Sequence, residues 1–211
     1  MSHKACWVML HKLREAMAGE FKGRVVGGEC KTAEVDGAYF GGYVRPANHA
    51  ESRKDRRKLA NQSGKRQSLV ILRERNWNSL PAVFGSEGAA LSWINSRVAK
   101  GTVVNADESG AWKDLASKYE MRRINHQEAY STGEACTNWA ESYFSRIRRG
   151  EVGHHHLSGP YLLRYAQEAS WREDQGRVDN GAQVRRVTQL ALTSKTSVDF
   201  CGYYQRHLKA A

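Results

Sequence analysis

The chain has 211 residues, of which 40% are hydrophobic and 9% aromatic, enough for one sizeable domain and too many for a disordered tail. Lys and Arg number 33 against 22 Asp and Glu, and the resulting charge of +11 indicates a polyanionic partner. No run approaches the ~18 apolar residues of a membrane span, and the N-terminus has no signal-peptide pattern. We therefore expect a cytoplasmic protein without a membrane partner.

The predicted elements are taken in chain order from apolar periodicity and from start and stop residues. The ranges are a helix over 3–18, strands over 33–44, 67–76 and 80–84, a helix from the N-cap Ser86 to before Gly101, a strand over 102–107, an amphipathic helix over 112–119, a strand over 121–125, and helices over 138–149, 158–172 and 180–192. Three strands followed by alternating helices and strands predict an α/β fold with a mixed sheet of about five strands, flanked by helices.

A basic segment covers residues 45–66. It holds eight Lys and Arg residues against only Glu51 and Asp55, a net charge of +6. One interpretation is a solvated surface loop. The other is an arm that contacts DNA phosphates, with Arg56, Arg57 and Lys58 as candidate contacts.

The four cysteines, Cys6, Cys30, Cys136 and Cys201, are scattered and form no C-x-x-C pair. A zinc ribbon therefore has no ligands in this chain. We expect reduced thiols rather than disulfides.

Three acidic residues stand in informative places: Asp36 within the first strand, Asp107 at the end of the fourth, and Glu141 in the first turn of the next helix. Each has an ordinary structural explanation, since Asp is common at strand ends and Glu141 could form a capping box with Asn138. Together they would suit two Mg²⁺ or Mn²⁺ ions, which prefer oxygen ligands and can activate a nucleophile against a phosphodiester.

The helix that carries Glu141 has two distinct faces. Residues at steps of four predict its buried side: Trp139, Tyr143 and Ile147. Glu141, Ser145 and Arg148 share the opposite side, with Arg146 and Arg149 flanking Arg148. The basic side is either a solvated face or a surface that holds the DNA backbone beside Glu141.

Two histidine features have alternative readings. His126 lies between the fifth strand and the helix of Glu141, where it could contact DNA or serve as a structural residue. The run His154 to His156 suggests a metal site, but three adjacent histidines rarely converge on one ion.

A succession of blocks carries a family resemblance through nearly the whole chain. They are SHKACWVMLHKLREAM (2–17), EVDGAYFGGYVRPAN (34–48), KRQSLVILRERN (65–76), RINHQEAYS (123–131), TNWAESYFSRIRRGEVGHHH (137–156), YLLRYAQEASWRED (161–174) and SVDFCGYYQRH (197–207). In this order they resemble the DDE-class insertion-sequence transposases, in the ISXO-like group with a ribonuclease-H-like catalytic domain.

The resemblance implies that Asp36, Asp107 and Glu141 are the three catalytic acids, that they bind two divalent ions, and that Arg148 is the basic residue seven positions after the third acid. It implies cleavage at inverted-repeat ends, strand transfer into target DNA, and self-association of the protein on DNA, with no small-molecule cofactor. Longer members carry an N-terminal zinc ribbon, which we expect to be absent from this chain.

We therefore expect a single catalytic domain over 1–211, made of an N-terminal helix and lead-in (1–32), a ribonuclease-H-like core (33–150) and a helical C-terminal extension (151–211). Two alternatives remain open. The chain could be a truncated or catalytically inactive, transposase-derived DNA-binding protein, or a nuclease that hydrolyses DNA without joining it.

Overall fold

The computed structural model describes residues 1–41, 49–54, 66–75, 77–107, 109–124, 131–132, 135–154, 157–197 and 200–201. The basic segment falls largely outside these ranges, and so do its candidates Arg56, Arg57 and Lys58 and the histidine His126. In the part of the chain that is described, no helix is long and apolar enough to cross a membrane.

A five-stranded sheet forms the centre of the fold. Its strands are β1 (Thr32–Phe40), β2 (Gln67–Glu74), β3 (Trp77–Phe84), β4 (Val103–Asp107) and β5 (Glu120–Ile124). They lie in the order β3-β2-β1-β4-β5. The pairs β1–β2 and β2–β3 are antiparallel, whereas β1–β4 and β4–β5 are parallel. The predicted mixed sheet of about five strands is confirmed.

Both faces of the sheet are covered, which explains the apolar run in β2. Val70 and Leu72 point into one hydrophobic cluster, while Leu69 and Ile71 point into the other. All four side chains are fully buried, as expected for a strand between two layers. β1 alternates in the same way, so that every second residue faces the same layer.

The described residues form five α-helices: α1 (His3–Ala18), α2 (Leu91–Arg97), α3 (Asn138–Gly153), α4 (Gly159–Asp174) and α5 (Asn180–Thr193). α3 and the first half of α4 cover the face of Leu69 and Ile71. The end of α1, together with α2, covers the other face. With the exception of the segment predicted over 112–119, the helices predicted from periodicity are present.

Two predicted helices differ from the structure. Residues Gly110–Ser117 form a 3₁₀-helix rather than an α-helix. Its fully buried residues Trp112 and Leu115 are three apart, which is the period of a 3₁₀-helix. Ser86 is not the N-cap of α2, because a 3₁₀ turn at Gly88–Ala90 precedes that helix.

A small two-stranded sheet was not expected from the sequence. β6 (Ser131–Thr132) pairs antiparallel with β7 (Ala135–Cys136) shortly before α3. Strands of two residues carry too little alternation to be recognised from periodicity.

Candidate active site

The sheet brings Asp36 and Asp107 together. β1 and β4 are parallel neighbours, and the last residues of their register are Val35 and Ala106. Asp36 is the next residue of β1 after Val35, and Asp107 is the last residue of β4. Two acids separated by 71 positions in the chain therefore stand side by side on neighbouring strands.

α3 adds Glu141 from above the sheet. Glu141, Ser145 and Arg148 line an open cleft of about 660 Å³ together with Asp36. The other lining residues are Gly37, Ala38, Phe144, Arg149 and Val152. The helical spacing correctly predicted that Glu141, Ser145 and Arg148 share a face. The opposite side of α3 buries Tyr143 and Ile147 in the core.

Negative charge is concentrated around Asp36. The pKa of the Asp36 carboxyl is raised to about 7 by burial, the largest cause, together with the carboxylates of Asp107, Glu141 and Glu87, against a hydrogen bond from the N–H of Gly37 that lowers it. Asp107 and Glu141 are thus both close enough to act electrostatically on Asp36. A proton or a cation at Asp36 relieves the repulsion among them.

Glu87 is a fourth acid of the site, and sequence reasoning missed it. Its carboxylate accepts a hydrogen bond of 3.1 Å from the Ser109 hydroxyl. A Cβ atom at position 37 would lie 2.8 Å from Glu87 Cγ, so that the missing side chain of Gly37 makes room for it. Burial raises the pKa of Glu87, and the charge of Asp107 raises it further, while the bond from Ser109 opposes both effects. In the sequence Glu87 resembled an ordinary first-turn acid of a helix, which gave no signal of this role.

Each predicted acid accepts a hydrogen bond from a near neighbour in the chain. Asp36 Oδ1 accepts from the N–H of Gly37 at 2.7 Å, and Asp107 Oδ1 accepts from the N–H of Ser109 at 3.1 Å. Glu141 Oε1 accepts from the Thr137 hydroxyl at 3.3 Å. Among the described residues, no group of three or more His, Cys, Asp or Glu side chains is placed to hold a metal ion. The carboxylate oxygens are nevertheless the donor type that Mg²⁺ and Mn²⁺ prefer.

The capping-box explanation of Glu141 is wrong. The N-cap of α3 is Thr137 rather than Asn138. The N–H of Glu141 donates to the Thr137 carbonyl at 3.0 Å and its side chain faces the cleft. The carboxylate is therefore directed to the site and not committed to Asn138.

The three arginines of α3 have different surroundings. Arg148 and Arg149 are exposed, line the cleft and form no ion pair within the described part of the chain. Arg146 forms an ion pair with Glu173 of α4. Arg148 and Arg149 are thus available to a phosphate at the cleft, while Arg146 is already partnered.

The remaining predicted features contribute little to the cleft. The ring of His154 lies 5.3 Å from that of Tyr165, whereas His155 and His156 fall outside the described residues. Trp93 lies away from the cleft lining and packs against Phe84, with ring centroids 5.6 Å apart.

Comparison with known proteins identifies the family. The model of the ISXO2-like transposase domain matches residues 27–174, well over half of the chain and the whole stretch from β1 to α4. No match is found among curated proteins or among solved structures. The mixed sheet with its flanking and C-terminal helices agrees with the ribonuclease-H-like fold expected from the sequence. The chain belongs to the ISXO2-like transposase domain family and carries the catalytic region of a DDE-class insertion-sequence transposase.

Proposed function

We propose that the chain cleaves DNA at the ends of a transposon and joins the freed 3′-hydroxyls to target DNA, with Asp36, Asp107 and Glu141 as the catalytic acids. The observation that carries this proposal is the meeting of three acids from β1, β4 and α3, where both Asp107 and Glu141 raise the pKa of Asp36. These three acids concentrate negative charge at the edge of an open cleft, although the net charge of the chain is +11.

Divalent cations complete the proposed site. Asp36, Asp107 and Glu141 would hold two Mg²⁺ or Mn²⁺ ions, because their oxygen ligands and mutual repulsion favour a hard cation between them. When bound, such ions activate the attacking hydroxyl and stabilise the leaving oxygen of a phosphodiester. The local hydrogen bonds of the three carboxylates would be exchanged for this ligation.

Basic side chains of the chain must offset the repulsion between the DNA phosphates and the four carboxylates of the site. Arg148 and Arg149 lie about two turns beyond Glu141 on α3 and line the same cleft. Their guanidinium groups can each bind a phosphate through two parallel hydrogen bonds. We also propose contacts from Arg56, Arg57 and Lys58, which the charge of the basic segment suggests, and from His126, which its place before α3 in the sequence suggests.

The apolar side chains of the cleft have a separate role. Phe144 and Val152 line it beside the arginines. An apolar wall lowers the local dielectric, which strengthens the attraction between the arginines and a bound phosphate.

The proposed partners are the transposon ends, the target DNA and a second copy of the chain, which pairs the two ends.

The test is an assay with duplex oligonucleotides that carry the inverted-repeat ends, with target plasmid and Mg²⁺ or Mn²⁺. We expect the wild-type chain to release 3′-hydroxyl ends and to join them covalently to the plasmid. Asp36→Asn, Asp107→Asn and Glu141→Gln should each reduce both products to background. Asp114→Asn removes an exposed acid of the 3₁₀-helix and is the matched control, which should retain activity.

The outcomes separate the alternatives. Salt-sensitive DNA binding without any cleavage would favour a DNA-binding protein that has lost catalysis. Metal-dependent nicking without joined products would favour a nuclease. Full activity of Asp36→Asn would contradict the assignment of the acids.

A further inference from the structure

The first turn of α3 is bound by a buried carboxylate from the sheet. Glu34 Oε2 accepts hydrogen bonds of 2.9 Å from the backbone N–H groups of both Trp139 and Ala140. The N-cap residue Thr137 makes no side-chain cap bond to the helix. A side chain 105 positions away in the chain therefore satisfies the N–H groups that a helix leaves open at its start.

Charge makes this contact strong. The Glu34 side chain is fully buried, and a carboxylate is stabilised at the positive end of a helix dipole. Arg75 lies 4.0 Å from Glu34 Oε1. A buried charge that lost the helix would be left with a costly desolvation, so that the carboxylate and the helix start are strongly bound to each other.

Residue 139 is held from two sides by a pair of facing residues on neighbouring strands. Glu34 and Arg73 are register partners of β1 and β2. Glu34 accepts the N–H of Trp139, while Arg73 donates to the Trp139 carbonyl at 3.1 Å and lies over its ring at 5.1 Å. Arg73 also donates to Glu173 of α4 at 2.9 Å. The start of α3 is thereby fixed relative to two strands and a second helix.

This anchor lies beside the catalytic acids. Glu34 and Asp36 are two residues apart on β1 and therefore share a face of the sheet. Farther along that face Phe40 packs near Phe144, with centroids 6.2 Å apart, so that α3 follows β1 in the same direction. A slide of α3 by one residue would move Glu141 about 1.5 Å along the helix axis and turn it by roughly 100°.

We propose that Glu34 is a positioning residue that sets the register of α3 over β1 and so places Glu141 opposite Asp36. The contact with the helix start is independent of activity, whereas its effect on cleavage rests on the proposed function. Glu34 touches neither DNA nor metal in this role. It acts through the helix that carries the third acid.

The experiment compares Glu34→Ala and Glu34→Gln with a matched control, Glu74→Gln. Glu74 is also a buried Glu of the sheet, and it accepts from the N–H of Gly27 at 3.0 Å and from Lys31 at 2.8 Å rather than from α3. Loss of a buried sheet carboxylate is common to all variants, but loss of the helix anchor is specific to Glu34.

The first readout is hydrogen exchange of the amides at positions 139 and 140. We expect Glu34→Ala to accelerate exchange there at least about tenfold, since the N–H groups lose their acceptor. Glu34→Gln should have a smaller effect, because its amide oxygen still accepts. Glu74→Gln should leave these amides unchanged. Unchanged exchange in both Glu34 variants would overturn the inference, as would equal acceleration in the control.

The second readout is the cleavage rate at saturating DNA, measured beside the DNA dissociation constant. We expect Glu34→Ala to lower the rate roughly 10–100-fold, the range typical of residues that orient metal ligands, with the dissociation constant changed less than about twofold. A changed dissociation constant with an unchanged rate would overturn the positioning role. If the wild-type chain itself cleaves nothing, the proposed function fails, while the exchange measurement still decides whether Glu34 holds α3. Should Glu34→Ala not fold, Glu34→Gln carries both readouts.

Discussion

The raised pKa of Asp36 predicts that the site costs the protein stability. Asp36→Asn should be more stable than the wild type at pH 8 in the absence of divalent metal. The substitution keeps an oxygen that can accept the hydrogen bond from the N–H of Gly37. It removes the charge that burial, Asp107, Glu141 and Glu87 all disfavour.

The magnitude and the sign follow from the two pKa values. The folded protein holds the Asp36 proton up to about pH 7, against an ordinary value of 3.8, so that between these values the folded state binds more protons than the unfolded one. The free energy of unfolding therefore falls as the pH rises through this window and levels off above pH 7. At about 1.4 kcal/mol per pKa unit, Asp36→Asn should gain up to about 4 kcal/mol at pH 8 and almost nothing at pH 4.

The assay is urea or thermal unfolding of both proteins from pH 4 to pH 8 with EDTA present. A gain of about 4 kcal/mol corresponds to a rise in melting temperature of roughly 10 °C for a chain of this length. The difference between the two proteins cancels the contribution of every titrating group that does not interact with Asp36. Asp114→Asn, at an exposed position, should stay within about 0.5 kcal/mol of the wild type.

Two results would refute this reasoning. A stability difference that stays constant from pH 4 to pH 8 would show that Asp36 does not titrate in the window. A wild type that is more stable than Asp36→Asn at pH 8 without metal would show that the carboxylate is favourably placed rather than strained by its neighbours.

Two further perturbations address the same cleft. Glu87→Gln removes one of the charges that raise the pKa of Asp36. In the same unfolding experiments, the free energy of unfolding should therefore stop falling at a lower pH than in the wild type. If the pH at which it levels off is unchanged, this coupling is contradicted. The double substitution Arg148→Ala and Arg149→Ala should weaken DNA binding and reduce the slope of log K against log salt by about 2, measured by fluorescence anisotropy. Arg172→Ala on α4, where the side chain pairs with Glu168, is the control, and an equal change of slope there would argue against a specific role of the cleft arginines.

Local patterns predicted the fold because its signals are local. The apolar run from Leu69 to Leu72 indicated a strand buried on both faces, and the sheet covers it on both faces. Helical spacing placed Glu141 and Arg148 on one side of α3, where they line the cleft. The neighbourhood of Asp36 and Asp107 follows from the parallel pairing of β1 and β4, which strand-end positions could suggest but not prove.

What the sequence did not predict depends on contacts between distant segments. The 3₁₀ form of Gly110–Ser117 was mistaken for an α-helix because Trp112 and Leu115 fit either period over so short a span. Glu87 reaches the site only because a loop after β3 comes against Gly37. No local pattern records such a meeting, since the two residues are brought together by the sheet.

Glu34 shows why the acids alone do not specify the site. Asp36 and Asp107 are held by strand pairing, a ladder of many hydrogen bonds in which a slip would expose apolar residues. Glu141 has no such ladder, because the backbone hydrogen bonds of a helix lie within the helix and do not fix its register on the sheet. The third acid therefore needs a directional contact, and the two N–H bonds to Glu34 supply it at the end of α3 nearest the site. In the proposed site, the placement of the third acid thus depends on a further buried carboxylate, Glu34, which acts through α3.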